Sequence, residues 1–458
     1  MNETRSRFRQ TPLWAAAAIV PAVLLSGCQP EAEPPEAPKE LVLGVIDEGT
    51  YNYQFRAIFE GRFPDWKITL APLGDVKLYE MKGEEAIRVF NEYLEREQPD
   101  LVIMNSLMYP PMADAGALRD LGEWTSRDKM DLSVFAPGMI ERMKDNEEGK
   151  LFGLSPSIRT SVLYYNKSMF KTYGIEEPRE RMNWNEVLGL SDRFTQDASL
   201  EEGSYGFYES NIRSPFDLVQ VVAQTEGLNF VDTRNGRMTM QSEEWQRMWR
   251  MVADSYRRGS LGLNGRKQKV VDGVTYVSQE EQEAADLFYK GKVAMTYGQV
   301  DLMQKLKAKP PSFEWGVLPG PVSERDPERT WWFVSDYIFV IPTAASRPES
   351  AWNAIRELQS EPVGKVYASA GTDLSSRMDY PKWKNDPDYE PFYQQKGWPN
   401  SPSYVTSVIP TEFYQPFNKL VAEQMDATIS NRITAEQALE TLQREGQKWL
   451  DQLVPANK

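Results

Sequence analysis

The chain contains no histidine, and its one cysteine is Cys28. Without histidine there is no Ser-His-Asp or Cys-His nucleophile pair, no imidazole base and no Cys/His zinc site. One cysteine rules out intramolecular disulfides. Enzyme chemistry is thereby reduced to paired carboxylates, a Ser-Lys pair or a metal held by carboxylates alone. A basic surplus is missing too: 52 Lys and Arg against 67 Asp and Glu leave a net charge of −15, which argues against a nucleic-acid partner. No G-x-G-x-x-G or G-x-x-x-x-G-K-[ST] segment is present to hold a nucleotide cofactor. The oxygen-rich stretches Asp145–Gly149 and Asp386–Glu390 lack calcium-loop spacing and read as solvated turns. What is present suits a soluble protein of two or three domains: 458 residues, 41% hydrophobic and 26% charged.

The first forty residues read as an address. Arg5, Arg7 and Arg9 precede an apolar run from Trp14 to Leu25, too short to span a hydrocarbon core, which needs about 20 residues, but laid out like a secretory signal. Leu25-Ser26-Gly27-Cys28 resembles the lipobox of bacterial lipoproteins. The resemblance implies a signal peptide at 1–27, removed on maturation, and acylation of Cys28, which would hold the protein at a membrane surface. Residues 28–40 then form a Pro/Glu-rich tether with nothing to pack.

Beyond residue 40 the pattern is α/β. Leu41–Ile46 and Leu101–Met104 are apolar runs expected as buried strands, and Ala86, Ile87, Phe90, Tyr93 and Leu94 recur at helical spacing between them. Further strands are expected at Ser161–Tyr165, Val293–Tyr297 and Tyr337–Ile341, and helices at Glu243–Arg257, Pro348–Leu358 and Ala435–Leu453. Asn235-Gly236 reads as a hairpin turn. The proline- and aromatic-rich stretch Asp379–Phe417 shows little periodicity and reads as an irregular loop.

Several segments resemble the extracellular solute-binding proteins of family 1, the capture subunits of sugar-importing ABC transporters. They are Gly149–Pro156 (GKLFGLSP), Ser161–Lys167 (SVLYYNK), Trp184–Val187 (WNEV), Phe288–Met295 (FYKGKVAM), Trp315–Pro321 (WGVLPGP) and the run from Ile341-Pro342 into Ala351-Trp352. The stretch from Ser360 to Asp379 continues the match, although Leu374-Ser375-Ser376 stands where a proline is usual and Ser335-Asp336 replaces a glycine pair. The resemblance implies a two-lobed periplasmic-binding-protein-like fold of type II. One lobe would take 41–157 plus about 330–372, the other 158–329 plus about 373–458. It implies no catalysis, a carbohydrate ligand, ABC permease subunits as partners, a monomer, and a place on the extracytoplasmic face of the cell membrane. A sensor feeding a membrane kinase and a carboxylate-pair glycosidase are the alternatives.

Open α/β sheets bind ligands beyond the carboxyl ends of their strands, and sugars need flat aromatics and planar polar groups. Asp47, Glu48 and Tyr51 follow the first expected strand; Asn105, Ser106 and Tyr109 follow the second. Tyr297 and Gln299 follow a third, Phe207-Tyr208 follow Tyr205-Gly206, and Trp331 and Trp332 precede a return to the first lobe. The resemblance adds Ser157 and Arg159 at the first interlobe crossing. Arg159 could hydrogen-bond sugar hydroxyls, pair with a uronate or form a hinge ion pair; Arg213 and Arg377 could serve similarly. The expected ligand-binding set is therefore Asp47, Glu48, Tyr51, Asn105, Ser106, Ser157, Arg159, Tyr208, Tyr297, Gln299, Trp331 and Trp332, with no metal and no cofactor.

Overall fold

The computed structural model describes residues 38–453 apart from 75–82, 145, 147, 197–199, 233–234, 264–268, 272–273, 277–285, 371–372, 380–385 and 399–408. The expected signal segment, Cys28 and most of the tether lie outside the described residues. Among the described residues no helix is long and apolar enough to cross a membrane.

The first sheet has the strand order Lys67–Pro72, Glu40–Val45, Leu101–Met104, Ile338–Val340, Gly153–Leu154. Its first three strands are parallel and Ile338–Val340 runs against them. Leu101–Met104 is buried throughout, as an apolar run without alternation predicts. The helix Gly83–Glu97 lays Phe90, Tyr93 and Leu94 into this core, and the Tyr93 hydroxyl donates to Ala71 O at 2.7 Å. A Cβ at Gly44 would stand 2.6 Å from that hydroxyl, so the approach of helix to strand requires glycine there.

The second sheet has the order Trp315–Leu318, Val162–Asn166, Val293–Gly298, Tyr205–Phe207. Val162–Asn166 is antiparallel to both neighbours, and Tyr205–Phe207 is parallel to Val293–Gly298. A helical layer of Trp184–Gln196, Pro215–Thr225, Glu243–Arg258, Thr411–Ile429 and Ala435–Leu453 completes this half, with Trp184, Trp245, Trp249 and Phe417 in one core. The Asn235-Gly236 turn joins Val231–Asp232 to Arg237–Met238 in an antiparallel pair, with Gly236 at φ +61°. Gln447 and Gln443 of the last helix accept from Met238 N and Met240 N at 2.9 and 2.8 Å, pinning the hairpin down.

A three-stranded antiparallel ribbon joins the two halves: Phe333–Val334, Ser157–Thr160, Leu374–Ser375, with Ser157–Thr160 central. The chain runs from the first sheet at Gly153–Leu154 through Ser157–Thr160 into the second at Val162, and from Trp315–Leu318 back through Phe333–Val334 to Ile338. The expected strand Ser161–Tyr165 is thus preceded by a separate strand that alternation did not reveal. The stretch Asp379–Phe417 is a correction: it holds a 3-10 turn at Pro387–Tyr389, a helical turn at Glu390–Tyr393 and the start of the helix Thr411–Ile429, with Pro416 inside it. Phe413 and Phe417 are one turn apart and stack at 4.8 Å, so core packing outweighs the proline.

Asp100 shows how tightly the first half is tied. Its fully buried carboxylate accepts from Val42 N at 2.9 Å, Arg347 N at 2.8 Å and Ser346 Oγ at 3.3 Å, with Arg347 Nε 3.3 Å away. Asp100→Ala strands several buried donors at once. We expect a loss of about 3 kcal/mol in urea unfolding, and a loss below about 1 kcal/mol would contradict this account.

Candidate functional site

In the central crossing strand, Ile158 faces the core while Ser157 and Arg159 share the opposite face, as strand alternation requires. Val334 pairs with Arg159 and Ser375 with Ser157. Continuing those registers sets Asp336 opposite Ser157 and Asp373 opposite Arg159. The side chains agree: the Arg159 guanidinium pairs with Asp336, its Nε lies 3.4 Å from Asp373 Oδ1, and Ser157 Oγ donates to Asp373 Oδ2 at 3.3 Å. Arg159, Asp336 and Asp373 are 35%, 24% and 12% exposed, so this face stays open to solvent.

Tyr337 shows which way the face looks. Burial pushes its hydroxyl pKa up, Arg159 pulls it down, and Asp373 and Asp47 raise it. Asp47, at the carboxyl end of the first strand, is near enough to act on Tyr337, which meets Phe55, the residue after the helix Asp47 caps, edge-on at 4.9 Å. Burial also raises the Tyr367 hydroxyl, with Asp373 and Tyr337 adding to the effect. Tyr367 is 6% exposed and its hydroxyl has no hydrogen-bond partner among the described residues; nor has Ser335 Oγ, which the register sets opposite Ile158 on the core face.

The second half contributes aromatics. Trp331 and Trp332 are half-buried and stacked at 6.0 Å with 27° between planes. Tyr297 backs Trp331 at 6.1 Å and meets Trp184 edge-on at 6.1 Å, while its hydroxyl bonds Thr330 Oγ1 at 2.9 Å. Glu209, one residue past Tyr208, acts on the Tyr297 hydroxyl. Burial raises its own carboxyl pKa, against the opposing hydrogen bonds from Asn211 N and Nδ2, both at 2.9 Å.

The sequence-expected residues divide accordingly. Ser157 and Arg159 come together at the hinge, and Tyr297, Trp331 and Trp332 in the aromatic wall. Asp47 uses both oxygens on Thr50, accepting from its N at 2.7 Å and Oγ1 at 2.6 Å, which holds its pKa below the ordinary carboxylate value and caps the helix Glu48–Gln54. Glu48 is exposed in the first turn of that helix, and Tyr51 is buried against Phe59 at 5.9 Å. Asn105 Oδ1 accepts from Leu107 N and Met108 N at 3.0 and 2.9 Å; Ser106 beside it is half-buried. Gln299 offers its backbone carbonyl to the Tyr164 hydroxyl at 2.6 Å, and Tyr208 is buried, stacked on Tyr205 at 6.5 Å.

Tyr109, Phe207 and Arg377 are structural: a strut donating to Met143 O at 2.5 Å, a core ring edge-on to Trp184 at 5.6 Å, and a clamp on Asp379 and Gln359 O. Arg213 gives its backbone N–H to Asp217 Oδ2 at 2.9 Å.

Sequence reading did not single out Ser335, Asp336, Tyr337, Tyr367, Asp373 and Glu209. A signal existed for Asp336, since Ser335-Asp336 interrupts the family's glycine pair. Among the described residues no group of three or more His, Cys, Asp or Glu is placed to hold a metal ion.

Two α/β halves joined by antiparallel crossings, with an aromatic wall beside a polar hinge, define a two-lobed binding protein of the type II periplasmic kind. The sugar-binding protein MalE of Xanthomonas citri shares this fold at a TM-score of 0.61 and 15% identity, over 90% of this chain and 98% of that one. The chain belongs to the bacterial extracellular solute-binding proteins, whose family model matches residues 47–365. A binding protein of Brucella abortus is 26% identical over 212 residues, 45% of this chain and 46% of that protein. An ABC transporter extracellular-binding protein of Pyrococcus horikoshii is 21% identical, over 61% of this chain and 59% of that one. The chain thus spans about half the length of the curated relatives it matches.

The hinge pairing has a testable energetic signature. Arg159→Met leaves Asp336 and Asp373 facing each other without their cation, and should lower the melting temperature. Adding Asp336→Asn should restore part of the loss, giving a coupling of about 1–3 kcal/mol in a double-mutant cycle. Additive losses would show that the pair is energetically idle.

Proposed function

We propose that the protein captures a mono- or oligosaccharide between its lobes and presents the closed, loaded form to the permease subunits of an ABC importer. It does so as a monomer on the extracytoplasmic face of the cell membrane, anchored by acyl chains on Cys28. The observations that support the carbohydrate reading are the Tyr297, Trp331 and Trp332 cluster, tied to the crossing strand where Trp332 O accepts from Thr160 Oγ1 at 3.0 Å, and the polar groups of Arg159, Asp336 and Asp373 on that strand and its neighbours. Sugar rings offer apolar C–H faces to indoles and hydroxyls to planar polar groups. A sugar touching both lobes binds the closed state better than the open one, and that difference drives hinge closure. Sheet membership supports one lobe from 41–157 with about 330–372 and the other from 158–329 with about 373–458. The similarity in fold to a sugar-binding protein and the matched ABC-transporter relative support the same reading.

The chain from residue 29 onward, melted against mono- and oligosaccharides, should gain about 2.7 kcal/mol at a hundredfold excess over Kd of its ligand. Trp331→Ala should weaken that ligand about tenfold, measured at a temperature where the variant is still folded, because the half-buried ring also packs on Tyr297. A stabilising sugar that Trp331→Ala binds unchanged would remove the aromatic wall from the site. For the anchor, Cys28→Ser should move the protein from the membrane fraction to the soluble one and abolish incorporation of labelled palmitate. Retention in the membrane fraction would overturn lipidation.

A further inference from the structure

The hinge end of the cleft carries an unequal set of charges. Arg159 is the cation there, and it already faces two carboxylates, Asp336 and Asp373. Asp47, whose oxygens cap the helix after the first strand, adds a further negative charge that acts on Tyr337. A guanidinium that captures a ligand carboxylate needs two parallel N–H groups free for it. Here the Arg159 Nη2 points at Asp336 and its Nε at Asp373. Among the described residues the Tyr367 OH is buried without a hydrogen-bond partner and interacts with Asp373 and Tyr337, while Arg159 Nε, 3.4 Å from Asp373 Oδ1, forms no hydrogen bond. Unpartnered buried hydroxyls mark where a ligand polar group completes the network, while the surplus of carboxylates sets what charge that group can carry.

We propose that Asp336 and Asp373 are specificity-determining residues that make this cleft reject acidic sugars: its ligand is a neutral or amino-bearing carbohydrate, with a hydroxyl or amino group meeting Tyr367 and the Asp336–Arg159–Asp373 row. This rests on the carbohydrate reading above and sharpens it. A uronate carboxylate placed there meets more negative than positive charge, at short range and partly desolvated. An uncharged hydroxyl donates to a carboxylate or a phenol oxygen, and an ammonium gains from the same field.

The test uses calorimetry on the full chain purified in mild detergent. Its probes are glucose-, galactose- and mannose-series mono- and trisaccharides, each as the neutral sugar, the 2-amino sugar and the uronate. Within the series that binds, the uronate should be at least about tenfold weaker than its neutral counterpart, and the amino sugar equal to it or tighter. Asp336→Asn and Asp373→Asn, each checked for an intact melt, should narrow the neutral-to-uronate ratio, and raising salt should narrow it in the parent chain. The salt dependence keeps the charge argument testable if either variant fails to fold. A uronate that binds as tightly as its neutral partner, or a ratio unmoved by both variants and by salt, overturns the charge selection and leaves sugar capture standing. Binding by none of the probes in any series overturns both.

Discussion

Everything that makes this molecule two halves rather than one passes through the strand Ser157–Thr160. It is hydrogen-bonded on both sides, to Phe333–Val334 and to Leu374–Ser375, and so brings together three places far apart in the chain. An antiparallel ribbon of such short strands can twist and bend without losing its ladder, whereas the sheets it joins are held by dense cores. The same pairing sets the chemistry of the cleft. Register decides that Arg159 sits between Asp336 and Asp373, and alternation decides that all three leave the core face to Ile158. A slip of one residue would turn the charges inward and the isoleucine outward.

The two walls of the proposed cleft are built on different physics. The aromatic wall is rigid because each ring is backed by another: Trp184 behind Tyr297, Tyr297 behind Trp331, Trp331 against Trp332. Such a surface costs little ordering when a flat ligand face settles on it. The hinge wall is polar and incompletely satisfied. Its ion pairs hold one another in place while the Tyr367 hydroxyl has no partner among the described residues. One wall supplies area and the other direction, a division common in small-molecule sites.

Much of the scaffold was legible in the residues. The helices Pro348–Leu358 and Ala435–Leu453 begin and end where their periodicity places them, because apolar residues at helical spacing can bury one face in only one way. The parallel strands Glu40–Val45 and Leu101–Met104 were visible as unbroken apolar runs, since strands covered on both faces leave no polar side to alternate, whereas the alternating edge strand Lys67–Pro72 was not read. The crossing strand was not legible: Ser157, Arg159 and Thr160 carry no apolar alternation. Nor was the helix that swallows Pro416, where packing of Phe413 and Phe417 overrides a local breaker. Position after a strand end did not reveal what each side chain does. Asp47 and Asn105 lie at the expected ends and accept backbone N–H groups of their own loops.

The sequence by itself determined the family, the α/β class, the elements with strong periodicity and the exclusion of histidine and disulfide chemistry, because each follows from composition or from patterns within a few turns of chain. Only the tertiary structure decided that Arg159 is answered by Asp336 and Asp373, that Tyr367 is buried beside Asp373 without a hydroxyl partner among the described residues, and that Tyr51 and Tyr208 turn into the core. The Arg159 pairs in particular join strands far apart in the chain. Side-chain charge and burial there are set by which strand lies next to which, and no local pattern records that.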